Sequence, residues 1–319
     1  MLYAYVSAGA GLAPLANDQD LAQAIWIDLY RPLDSQVQAV SALGYEVPTL
    51  DDMEEIEISN RLYTESGKIY MTGVLPGQLP NGESAAMPVT FILGPTQLIT
   101  VRHHAPRPFE TFPTRADRSS SGCASPERVF LGLVEEIVGR LADISENVSK
   151  VLDTTAARVL RKTSPSNSDF LETALMTIGQ QAELMGRIRM GLLSMDRILV
   201  YHASNTASRP DAHGTRALRT ALQRDIQALE VHADFLTSRI GMTIDATMGM
   251  IGLQQNERVR ILSVMTALFL PPTLIASIYG MNFDRIPALQ WSLGFPMALA
   301  LMVCSVAAVL VLLKWKDWL

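Results

Sequence analysis

Two stretches near the C-terminus constrain this chain more than anything else in it. Residues 259–279 (VRILSVMTALFLPPTLIASIY) carry one charge, Arg260, and residues 291–313 carry none. About 20 apolar residues in a helix cross the roughly 30 Å hydrocarbon core of a bilayer, so each stretch is long enough to span one. A short, weakly charged connection, SIYGMNFDRIPALQW, joins them.

Charge placement orients the pair. Arg258 and Arg260 stand at the start of the first run and Lys314 and Lys316 just past the second, whereas in the connection Arg285 is balanced by Asp284. Basic residues gather on the cytoplasmic side of membrane helices. The beginning, MLYAYVSAGAG, has neither a basic start nor a sustained apolar core, so no cleaved signal peptide is expected. The chain therefore reads as a multi-pass protein of the cell (inner or plasma) membrane with both termini cytoplasmic.

The remainder is long enough for a soluble domain. Short β-type runs (LYAYV, AIWIDL, KIYMTGVL, PVTFIL, TQLITVR) alternate with a helix-like LDSQVQAVSALG among Gly, Pro and Asn punctuation, which predicts an α/β domain over about residues 1–125. From about Pro126 the pattern is helical, with breaks near SPSNSD and HASNTASRPDAHG, giving long helices over 126–214. No proline falls between Asp211 and Pro271. One helix is therefore expected from about Thr215 to about Tyr279, with a stalk over 215–258, a first span over 259–280, an outer loop over 281–290, a second span over 291–313 and a basic tail over 314–319. Gly241, Gly249 and Gly252 interrupt the stalk, and close packing on a neighbouring helix is the expected compensation.

Asp245, Gly249, Gly252, Asn256, Val259, Ser263, Thr266, Leu270, Thr273 and Ser277 follow alternating steps of four and three. That spacing keeps them on one helix face. The face is small and mildly polar, unlike the Leu and Phe that lipid favours, so either it packs tightly on another helix or copies of it surround a water-filled path.

Other residues point to little chemistry. Cys123 and Cys304 lie in a Ser-rich loop and in the second span, and read as reduced thiols. A formal net charge of −6 argues against a nucleic-acid partner, and no G-x-x-x-x-G-K-[ST] loop for ATP phosphates occurs. His103 and His104 read as a solvated loop, and His202, His213 and His232 as surface residues. No nucleophile–base or metal-ligand constellation marks an enzyme, so none is expected and no cofactor. A membrane-anchored structural or sensor protein without ion flux remains an alternative.

The segment YGMNF, at the outer end of the first span and one short loop before the last span, resembles the CorA family of divalent-cation channels, which includes the ZntB zinc transporters. The IWIDL strand and LGYEVPTLDDMEEIEISNRLY extend the resemblance upstream. It implies a funnel-shaped homopentamer, with an α/β/α cytoplasmic domain, a long stalk helix lining a central pore and peripheral second spans. It also implies influx of Mg²⁺ driven by the membrane potential, with Zn²⁺, Co²⁺ or Ni²⁺ as the alternative cargo. On the same ground Gly280, Met281 and Asn282 are the selectivity signature, and Asn256, Val259, Leu262, Leu270 and Thr273 line the pore, with Ser263, Thr266 and Ser277 on the same stripe. A regulatory metal site would use Asp245, for which Glu83 is the one carboxylate in the partner loop PGQLPNGESAAM.

Overall fold

A computed structural model describes residues 1–9, 11–16, 20–160, 168–206, 212–281 and 293–316. Asn282, Asp284, Arg285, His213's side chain and the last three residues lie outside the described parts. The described chain forms two compact units, Met1–Arg158 with Leu175–Ile244, and Val159–Ala174 with Asp245–Leu319.

The first unit is built on seven strands: β1 (Leu2–Ala8), β2 (Gly11–Pro14), β3 (Trp26–Tyr30), β4 (Leu62–Glu65), β5 (Lys68–Gln78), β6 (Ser84–Leu93) and β7 (Leu98–Arg102). Their order is β2-β1-β3-β7-β6-β5-β4, with β3 and β7 parallel and the other neighbours antiparallel. Alternation along β3 explains why the sheet needs cover on both sides. Trp26 belongs to one core, with Met71, Phe91 and Leu98, while Ile27 and Leu29 belong to another, with Tyr70, Ile92 and Val101. The second core is closed by Val40 of α1 (Asp34–Ser41) and Met53 of α2 (Leu50–Glu54); α3 (Ile58–Arg61) leads into β4. The first is closed by α4 (Pro108–Arg115) and three long helices, α5 (Pro126–Leu160), α6 (Ser168–Thr206) and α7 (Ala212–Tyr279).

Strands β2 and β4 are absent from the sequence reading because four residues show too little alternation to stand out. The β4–β5 connection carries its own signal: Ser66 and Gly67 both take positive φ, 49° and 74°, as a two-residue hairpin turn requires. Further along β5, beyond the residues that pair with β4, α6 packs so closely that a Cβ on Gly73 would lie 2.8 Å from Ile198 Cδ1. Ser194 Oγ accepts the Val74 backbone N–H there at 3.1 Å.

Two expectations about histidines are corrected. His104 is buried, its Nε2 2.8 Å from the Leu75 carbonyl oxygen, because it follows β7 into the sheet edge rather than entering a loop. His202, expected at the surface near a helix break, is buried against the Phe130 ring with Glu127 Oε1 3.4 Å from its Nε2. The start of α5 covers it. Cys123 is buried as a thiol, and burial pushes its pKa up to about 11.

The second unit holds the outer part of α7 and α8 (Gly294–Trp315). Both helices are long and apolar enough to cross a membrane. A small core of Val159, Leu171 and Ala174, with Phe170, Met250 and Ile251 against it, packs the α5–α6 hairpin tip onto α7.

Candidate functional site: the polar stripe of the long helix

Helix α7 runs 68 residues without interruption, roughly 100 Å at 1.5 Å per residue. It passes through Pro271 and Pro272, which lack the N–H groups that would bond one turn back. Just past them, Thr273 Oγ1 donates to the Phe269 carbonyl at 2.8 Å and lies 3.0 Å from that of Leu270. The carbonyls those prolines leave free are those of Ala267 and Leu268, four residues back, so the Thr273 hydroxyl bonds instead to the turn before its own residue, as helix threonines commonly do. Thr266 repeats the pattern one layer inward, donating to Leu262 O at 2.9 Å.

These bonds fix the polarity of both hydroxyls. Each proton is directed at the helix backbone, so the oxygen offers the outside only lone pairs. An array of such oxygens accepts hydrogen bonds from the waters of a hydrated cation.

Asn256, Val259, Leu262, Ser263, Thr266, Leu270, Thr273 and Ser277 are all exposed. The half-buried residues of this segment, Glu257, Val264, Ala267, Leu268, Pro271, Pro272, Ile275 and Tyr279, lie off that stripe. Among the described residues, then, the small polar face is not the one that packs within the chain. The contact expected at Gly241, Gly249 and Gly252 is likewise not made there, since a Cβ at each would meet nothing within 4 Å.

At the C-terminal end of α7, Gly280 N–H reaches both Ala276 O (2.9 Å) and Ser277 O (3.2 Å), closing the helix. Its φ is not in the left-handed region. What favours glycine is room, because a Cβ would sit 3.2 Å from Ala276 O. Met281 is exposed, and Asn282 lies outside the described residues. Asp245 is exposed on α7 in the second unit. Glu83, in the first unit, is exposed in the β5–β6 turn, where its carboxylate accepts from Asn81 Nδ2 at 2.8 Å. Among the described residues no three His, Cys, Asp or Glu cluster as a metal site.

Comparison with known proteins decides the family. Residues 22–315 match the family model described as CorA-like Mg2+ transporter protein. The chain belongs to the CorA family. It is 30% identical over 306 residues to the Magnesium transport protein CorA of Yersinia pseudotuberculosis, covering 96% of this chain and 95% of that one. To the protein of the same name from Escherichia coli K12 it is 29% identical over 304 residues, covering 95% and 94%. Its fold resembles the complete structure of the CorA magnesium transporter from Methanocaldococcus jannaschii, with a TM-score of 0.74 at 18% identity over 100% of this chain and 99% of that one. The ZntB cytoplasmic domain from Vibrio parahaemolyticus is more distant, with a TM-score of 0.55 at 10% identity over 77% of this chain and 96% of that one. The family match extends over both membrane-length helices and the entire polar stripe.

Proposed function

We propose that this protein conducts divalent cations, Mg²⁺ foremost, into the cell as a homopentamer whose α7 helices line the pore. The observation that carries the reading is the stripe from Asn256 to Ser277, exposed along its whole length and presenting hydroxyl oxygens as acceptors. Membership of the CorA family and the names of its relatives support the choice of ion.

Mg²⁺ loses its waters reluctantly, so a ring that binds the hydrated ion selects it without stripping the shell. Five copies of Asn282, with the backbone carbonyls of Gly280 and Met281, form that ring at the outer mouth. Below it Thr273 and Thr266 receive the ion's waters, and Leu270, Leu262 and Val259 make apolar constrictions that close by dewetting. A doubly charged ion moving down 100 mV gains about 4.6 kcal/mol, which drives influx without ATP. Asp245 stands at the stalk position of an inner regulatory site, but with Glu83, engaged by Asn81, as its one candidate partner that site is weak in this chain. Both termini are cytoplasmic, and the stretch around Ala288 faces outward.

Metal-resolved uptake into liposomes holding the purified protein tests the function. Mg²⁺ uptake exceeding Zn²⁺ uptake at equal driving force is expected. Zn²⁺ preference would reassign the ion, and no flux of either would leave a membrane-anchored sensor. Labelling of a cysteine at Ala288 by an impermeant reagent in intact cells checks the orientation.

A further inference from the structure

An open-sided recess of about 380 Å³ lies between the two membrane-length helices, lined by Pro272 of α7 and by Met302, Val303, Val306, Ala307 and Leu310 of α8. Every lining side chain is apolar. Pro272 stands about two turns before the end of α7, and Met302 about two turns after the start of α8. The recess therefore lies within the apolar lengths of both helices.

Both walls lead to a cation at the same end. On α8, steps of four, three and four carry one face from Val303 through Ala307 and Leu310 to Lys314. On α7, steps of four and three run back from Pro272 through Leu268, Met265 and Ile261 to Arg258. Lys314 and Arg258 are exposed, and neither has an ion-pair partner among the described residues. Arg260, by contrast, is paired with Glu257 at 2.7 Å. Trp315, next to Lys314, is 83% exposed at the end of α8, where an indole suits the headgroup level.

An apolar slot ending in two free cations has the chemistry of an acyl chain with a phosphate above it. We propose that this recess holds one chain of an anionic phospholipid of the cytoplasmic leaflet, with Lys314 and Arg258 gripping its phosphate. The inference rests on the reading that α7 and α8 span the membrane with these ends inward. A phosphate neutralises both cations, which another apolar helix laid in the slot would leave unpaired.

The test uses the full-length protein in vesicles of equal phosphatidylglycerol and phosphatidylcholine, followed by native mass spectrometry of the lipids retained. The wild type is expected to keep phosphatidylglycerol over phosphatidylcholine. Lys314→Gln and Arg258→Gln each lower that preference about fivefold, and Ala307→Phe, which fills the slot, removes the retained lipid whatever its headgroup. Equal retention of the two lipids, or retention unchanged by the three variants, would overturn the proposal. So would cross-linking, in a Cys304→Ser background, of a cysteine at Ala307 to one at Met265 of another copy, since that places a protein helix in the slot. Mg²⁺ flux in the same vesicles is read separately: flux with no lipid preference sinks this proposal alone, and lipid retention with no flux sinks only the transport reading.

Discussion

Asp28 and Arg102 meet across the parallel strand pair β3–β7, the Arg102 guanidinium donating to both carboxylate oxygens at 2.9–3.2 Å with each residue under 5% exposed. The carboxylate also accepts from Thr100 Oγ1 at 2.7 Å, and Thr100 in turn accepts from Trp26 Nε1 at 3.0 Å. Arg102 lies over the Tyr30 and Phe109 rings and donates to His104 O. A buried pair of this kind is costly to break singly and cheap to replace as a whole. Asp28→Ala is therefore expected to destabilise the protein by about 3–5 kcal/mol, and Asp28→Leu combined with Arg102→Met to recover most of it. Denaturant unfolding followed by tryptophan fluorescence reads both, and a double variant no more stable than the single one would refute the account.

His104 predicts an acid-side loss of stability. Burial drives its pKa down to about 4 from an ordinary 6.5, only partly opposed by the bond to Leu75 O. The unfolded chain then binds a proton that the folded one refuses, so stability is complete above about pH 6.5 and falls as the pH drops toward 4, by up to about 3 kcal/mol. Thermal unfolding against pH should show this slope in the wild type and a shallower one in His104→Gln. Equal slopes would assign the acid sensitivity elsewhere.

Thr273 separates a pore role from one confined to its own helix backbone, where its hydroxyl bonds Phe269 O. Thr273→Ser keeps the hydroxyl and should keep transport. Thr273→Val keeps the shape but removes the acceptor, and should lower Mg²⁺ flux about fivefold, the worth of one hydrogen bond. The check is liposome flux with oligomeric state measured alongside; full flux through Thr273→Val would remove the residue from the ion's path.

Asn282 is expected to act through its amide oxygen. Asn282→Ala and Asn282→Gly should both abolish uptake while the oligomer stays intact. If the residue merely ends the helix, glycine suits the turn as well or better, and substantial flux through Asn282→Gly would reveal that role.

Asp245→Ala should change inhibition by high cytoplasmic Mg²⁺ only modestly, because a single carboxylate per chain binds Mg²⁺ poorly and the candidate partner Glu83 is already engaged by Asn81. Mg²⁺-dependent protection from proteolysis that is strong in the wild type and vanishes in the variant would show a complete metal site instead.

Local order dictated much of this protein. The two membrane-length helices, the unbroken α7 and the four-three stripe are readable from residue order alone, since helix periodicity and bilayer thickness act within one segment. The strands β1, β3, β5, β6 and β7 announced themselves by β-branched and aromatic runs for the same reason. Tertiary structure alone decided what depends on distant partners. Asp28, Thr100 and Arg102 look like ordinary strand residues until the parallel pairing of β3 with β7 sets them on one face. His104 and His202 sit beside loop-forming residues and read as solvated, yet each is covered by elements far away in the chain, β5 and α5. Spacing along α7 left its polar face open to either packing or water, and only the fold showed that the helix packs within its chain through another face. Burial is a property of what arrives from elsewhere, and no local pattern encodes it.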